Sequence, residues 1–122
     1  MVNRVILVGR LGRDPEMRYT PDGIPVCSFS VACDSGYGDS KKTVWFRVSA
    51  WRRLAETCNE YLAKGRLAYV EGVLSEPRAY QAKDGEWRAS LDVAATAVRF
   101  LTPKAAEAAA EDGALTDESI PF

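Results

Sequence analysis

The chain has 122 residues, with 16 Lys plus Arg against 17 Asp plus Glu, no His, three Cys and 47% hydrophobic residues. That length and composition predict one domain with a modest core, and the absence of histidine removes His-based triads, the commonest general base and His-ligated zinc together. Cys27, Cys33 and Cys58 are odd in number and lack CxxC spacing, which excludes a disulfide framework and a structural zinc site and leaves idle thiols of a reducing compartment.

At the N-terminus, MVNRVILVGRLGRDPE holds an apolar stretch too short and too soon interrupted by charge for a signal peptide. No apolar run elsewhere approaches the roughly 20 residues of a membrane helix, so a soluble intracellular protein without membrane contact is expected. Val2 to Val8 reads as a strand that closes at Gly9. A second strand follows the turn residues Thr20, Pro21, Asp22 and Gly23, where Val26, Ser28, Ser30 and Ala32 alternate with the apolar Cys27, Phe29, Val31 and Cys33. Ser35 to Lys42, polar and glycine-rich, predicts a mobile hairpin tip.

The third strand, Thr43 to Trp51, separates by chemistry. Phe46, Val48 and Ala50 fall on one side and look like core; Trp45, Arg47, Ser49 and Trp51 fall on the other, where a solvated sheet would carry Thr, Lys and Glu. Arg52 to Lys64 switches to helical spacing, with Leu54, Ala55, Cys58, Tyr61 and Leu62 on one stripe and Gly65 placed as the C-terminal cap. Arg66 to Leu74 returns to strand, and Arg78 to Gln81 and Trp87 to Phe100 flank a hairpin turn at Lys83, Asp84 and Gly85. Gly9, Gly12 and Gly72 lack phosphate-loop spacing and read as bends and bulges of a tightly curved barrel. Strand, strand, strand, helix, strand, strand is the element order of a mainly β OB-fold, a five-stranded Greek-key barrel with one helix between strands three and four. Asp and Glu are scattered through predicted loops and the helix, so no catalytic pair, cofactor or metal site is assigned, and an enzyme is not expected.

Charge divides the chain. Residues 1–103 carry 15 Lys plus Arg and 12 Asp plus Glu, a net of +3, whereas residues 104–122 carry one Lys and five acids, a net of -4. A weakly basic body with an acidic tail predicts a polyanion-binding domain at 1–103, a short Ala/Glu-rich linker at 104–116 and a separate signal at 117–122. The linker and tip are expected to be mostly disordered, and Ile120, Pro121 and Phe122 break the polar pattern as a docking peptide would.

Holding a single strand without reading it requires flat aromatics for the bases and cations along the backbone path. The chain interleaves them: Tyr37, Trp45, Trp51, Tyr80 and Trp87 lie near Lys41, Lys42, Arg47, Arg52, Arg53, Arg78, Lys83 and Arg88. Trp45 and Trp51 are assigned to an exposed functional face. Trp87 and Tyr61 are assigned instead to core packing or a subunit interface, Trp87 because it shares parity with Leu91 and Val93.

The segments NRVILVGRLGRDPEMRYTPDG, TVWFRVSAWRRLAE, EYLAKGRLAYVEGVL and the closing ESIPF resemble the bacterial single-stranded DNA-binding protein family, in the same order and at similar separations. The resemblance covers residues 2 to 101 and the last few. It implies an OB-fold subunit of a homotetramer, cytoplasmic and nucleoid-associated, that binds and protects single-stranded DNA in replication, recombination and repair. It implies stacking on Trp45, Trp51, Tyr37 and Tyr80, backbone contacts from Arg4, Arg18, Arg47, Arg53 and Lys64, and recruitment of replication and repair enzymes through Asp117, Glu118, Ile120, Pro121 and Phe122. Two other readings use the same residues: an OB-fold RNA-binding module, and an interaction subunit whose tryptophans bury against a protein.

Overall fold

The structure, a computed structural model, describes residues 1–101. The predicted linker, the tip and its docking residues Asp117, Glu118, Ile120, Pro121 and Phe122 lie outside the described residues. Among those described, the strands are β1 (Val5–Leu11), β2 (Glu16–Tyr19), β3 (Pro25–Ser35), β4 (Lys42–Trp51), β5 (Leu67–Leu74), β6 (Arg78–Gln81), β7 (Trp87–Ser90) and β8 (Asp92–Phe100), with helix α1 (Arg53–Tyr61) between β4 and β5.

β3 and β4 form a long antiparallel hairpin whose register runs from Val26 opposite Trp51 to Ser35 opposite Lys42. Their Val, Phe and Trp residues suit a pleated, half-buried surface. β1 pairs with β5, β5 with β8, and β8 lies parallel to β4. β1 then returns to β3 through Arg10 opposite Ala32 and Leu11 opposite Val31, which closes the sheet on itself. Strands β1, β3, β4, β5 and β8 thus make the expected five-stranded OB barrel, with α1 between its third and fourth strands. Closure demands close backbone approach, and two glycines permit it. A Cβ on Gly9 would lie 2.2 Å from the Ala32 carbonyl oxygen, and one on Gly72 would lie 2.3 Å from that of Ala94. Gly72 also sits at the β5–β8 register shift, as a bulge at a barrel bend requires.

The interior is filled mainly by small and branched side chains, Leu7, Leu11, Val31, Val48, Val70, Val93 and Val98, around the buried ring of Phe29. Ala55, Cys58 and Leu62 lay the apolar stripe of α1 over the barrel against Cys27 and Ala50. A nine-residue helix is marginal alone, so this burial holds it.

Four local expectations are corrected. β2 is not among the predicted elements: it is a four-residue edge strand paired to β3, with Met17 its one core-packed residue and so no apolar alternation to announce it. The helix is shorter than Arg52 to Lys64 because Leu62 turns extended. Gly65 is not its cap; it takes φ 85° in the turn before β5, while the buried Arg66 donates from Nη1 to the Tyr61 carbonyl oxygen at 2.6 Å and satisfies one of the free carbonyls of the helix end. The last predicted strand divides at Leu91 into β7, which pairs only with β6 in a two-stranded arm, and β8, which belongs to the barrel.

At the helix start Arg52 has φ 60° and ψ -130°, the one positive φ among the described non-glycine residues. Such a conformation costs an L-residue on the order of 1–3 kcal/mol.

Candidate nucleic-acid interface

Residues directly opposite in an antiparallel ladder share a face, so the register of β2, β3 and β4 assigns the outer surface row by row. Trp51, Val26 and Arg18 form one row; Ser49, Ser28 and Glu16 the next; then Arg47 with Ser30, and Trp45 with Ala32. The regular run of β4 thus places two indoles on one strand face with a guanidinium between them. At about 3.3 Å per residue, the six-residue interval separates the indoles by roughly 20 Å. Trp45 is 53% and Trp51 48% exposed, which matches the face assigned to them, while Val48 and Ala50 are buried on the inner side.

Three shallow depressions follow this row. Trp51 borders the first with Arg18, Tyr19, Thr20, Pro21 and Val26. Arg47 borders the second with Arg13, Asp14, Glu16, Ser28 and Ser30. The buried Ser28 hydroxyl there has no hydrogen-bond partner within the described chain. Trp45 borders the third with Gly12, Arg13, Ser30, Tyr80 and Arg88. Tyr80 and Arg88 reach it because they stand opposite each other on the β6–β7 arm. The base of that arm is tied to the barrel by the Arg78–Asp92 ion pair at 3.3 Å.

Trp87 stands opposite Gln81, hence on the other side of the arm from Tyr80, and is 71% exposed. Core packing is therefore wrong for Trp87: its parity with Val93 does not carry through the break at Leu91. Tyr61 is half-exposed too, its ring centroid 5.5 Å from that of Phe100 at the barrel margin.

The other assigned residues are distributed more widely. Tyr37 stands 91% exposed at the β3–β4 tip and borders none of the three depressions. Just below that tip Asp34 accepts from the Thr43 hydroxyl at 2.7 Å and lies 3.4 Å from Lys41 Nζ; the two hold its carboxyl below the usual carboxylate range. Arg53, the first residue of α1, is exposed beyond Trp51 and Arg52. Lys64 lies beside the Arg47 depression, its backbone N–H donating to Asp14 Oδ1 at 2.9 Å. Arg4 does not join the row. It precedes β1 at the end remote from the β1–β3 closure and pairs with Glu71 of β5 at 3.1 Å. Sequence reasoning missed Arg13 and Tyr19, although Arg18-Tyr19 carries the same cation-aromatic juxtaposition that singled out the other positions.

A closed OB barrel with aromatic and basic groups alternating along one outer face belongs to the class of small β-barrel binding modules. Residues 2–101 match the model of the Single-strand binding protein family, and the chain belongs to that family, whose members bind rather than catalyse. It is 45% identical over 105 residues to the single-stranded DNA-binding protein of Neisseria meningitidis serogroup A, covering 82% of this chain and 60% of that one. It is 44% identical over 114 residues to the protein of that name from Thermotoga maritima, covering 89% and 80%, and 40% identical over 107 residues to that from Bacillus cereus, covering 85% and 62%. The match thus spans about 60% of the length of the Neisseria and Bacillus relatives.

Proposed function

We propose that this chain binds and protects single-stranded DNA without reading its sequence. The observation that carries this reading is the β4 face, where Trp45 and Trp51 flank Arg47 and the β6–β7 arm brings Tyr80 to the Trp45 end. Bases stack on the rings while the guanidiniums of Arg13, Arg18 and Arg47 follow the phosphates. Each aromatic–base stack contributes about 1–3 kcal/mol, and every base offers a π-face, so affinity arises without sequence preference. The names of the relatives point to the same ligand.

The cellular role follows as part of the proposal: coating strands exposed in replication, recombination and repair, in the cytoplasm and on the nucleoid. Assembly as a homotetramer is supported by the family resemblance and by Ile6 and Val73, exposed apolar residues on the outer surface of β1 and β5. Asp117, Glu118, Ile120, Pro121 and Phe122 recruit replication and repair enzymes; acidic and apolar groups side by side in one short segment suit a basic, apolar-lined socket.

The test is tryptophan fluorescence titrated with poly-dT at two salt concentrations and against poly-U. The expected result is quenching that saturates at a fixed nucleotide ratio, favours DNA and weakens only partly with salt. Preference for poly-U would point to an RNA-binding module. Absence of quenching would leave the tryptophans to a protein partner.

A further inference from the structure

We infer that Arg52 contacts a phosphate of the bound strand, and that its side chain serves this contact at the expense of the fold. The inference rests on the single-strand-binding reading above and extends it to a residue outside the set assigned by resemblance.

Three features of the position disfavour arginine in the native structure. First, its φ of 60° with ψ -130° suits glycine, and the other described positive-φ positions, Gly23, Gly36, Gly38, Gly65 and Gly85, are all glycines. The conformation is pinned from both sides: the Arg52 N–H donates to the Pro25 carbonyl oxygen at 2.9 Å, and the Arg52 carbonyl accepts from the Glu56 N–H at 3.3 Å. Second, Arg52 is the residue before α1, where a short side-chain oxygen would accept from a free backbone N–H; a guanidinium has no acceptor, and no side-chain cap bond forms. Third, a cation at a helix N-terminus opposes the helix dipole, and Arg53 follows it with a second one.

Nothing within the described chain compensates. The side chain is exposed, and among the described residues its guanidinium makes no hydrogen bond or ion pair. What it does have is position. Arg52 directly follows Trp51, at the end of the aromatic row where Arg18 and Tyr19 border the same depression as the indole. A strand stacked on Trp51 and leaving the row there carries its phosphates past this elbow, where an unpaired guanidinium offers a forked donor to one of them.

The test compares the full chain with R52G and R52K, using thermal unfolding without DNA and oligo-dT titrations across a range of salt. R52G should melt higher, by about 4 °C or more if a kilocalorie of strain is relieved. It should also bind several-fold more weakly at low salt, with the slope of log K against log salt shallower by about 0.7, the signature of one lost single-strand phosphate contact. R52K should keep the parent slope and melt like the parent. An R52G chain that melts no higher removes the strain on which the inference stands, and one with an unaltered salt slope shows that no phosphate is contacted. If the parent itself fails to bind oligo-dT, the single-strand reading falls and this inference falls with it; a parent that binds beside an unaltered R52G slope overturns the inference alone.

Discussion

Presentation of Trp45 depends on Gly12. A Cβ added at Gly12 would lie 2.5 Å from Trp45 Cζ3 and 2.7 Å from Cη2, so the indole is seated against bare backbone in the connection between β1 and β2. The obstacle is the far end of a side chain that rotates, so the barrel tolerates a methyl group but the ring must leave its seat. Gly12→Ala is therefore expected to shift the melting temperature by no more than a few degrees while weakening oligo-dT binding by up to one stack, about 1–3 kcal/mol or roughly 5- to 150-fold. Fluorescence titration reads the loss, and near-ultraviolet circular dichroism reads the displaced indole. Full affinity with a displaced indole would mean that Trp45 carries no base.

At the scale of elements, α1 is fastened to the barrel partly by thiols: Cys58 of α1 and Cys27 of β3 are fully buried in one cluster. Burial pushes Cys27 up to about 11 and Cys58, with Cys27 beside it, up to about 12, from an ordinary value of 9.0. The folded state thus favours the neutral thiols, and their contribution is intact below pH 9 and lost as the pH rises, because the unfolded chain releases those protons first. Each thiol steepens the fall in stability by up to about 1.4 kcal/mol per pH unit between the two values. Denaturant unfolding at pH 8 and 10 checks this: Cys58→Ala should make the fall in stability between them shallower, and an unchanged pH dependence would contradict it. The same scale decides what was legible in the sequence. β4 is regular, so counting by twos placed Trp45, Arg47 and Trp51 on one face. Across Leu91 the ladder changes partner, and the same counting misplaced Trp87. β2 left no periodic trace because an edge strand over β3 buries little of its own, and its absence from the prediction hid Tyr19. The helix stripe was readable, but its end was not: Leu62 turns extended and Arg66 reaches back to the Tyr61 carbonyl, features that spacing does not encode.

For the whole molecule, the governing feature is a body of net +3 at residues 1–103 followed by residues 104–122 of net -4. On the proposed function, the negative charge of residues 104–122 competes with phosphates for the arginines along β2–β4. That competition acts between solvated charges, so it is strong at low salt and largely screened once the Debye length falls to about 8 Å near 0.15 M. Stacking is not screened in this way. Deleting residues 104–122 should therefore raise affinity for poly-dT at low salt, leave it nearly unchanged at high salt, and keep the full amplitude of tryptophan quenching. Capture of replication and repair enzymes on protein-coated DNA should be lost in the same chain. Parallel titrations of the full and shortened chains at 20 mM and 300 mM salt, the two bracketing about 20 Å and 6 Å of screening, separate the contributions. Loss of DNA binding on deletion would instead make the acidic segment part of the strand-binding surface, and enzyme capture that survives would move the docking site from Ile120, Pro121 and Phe122 onto the barrel.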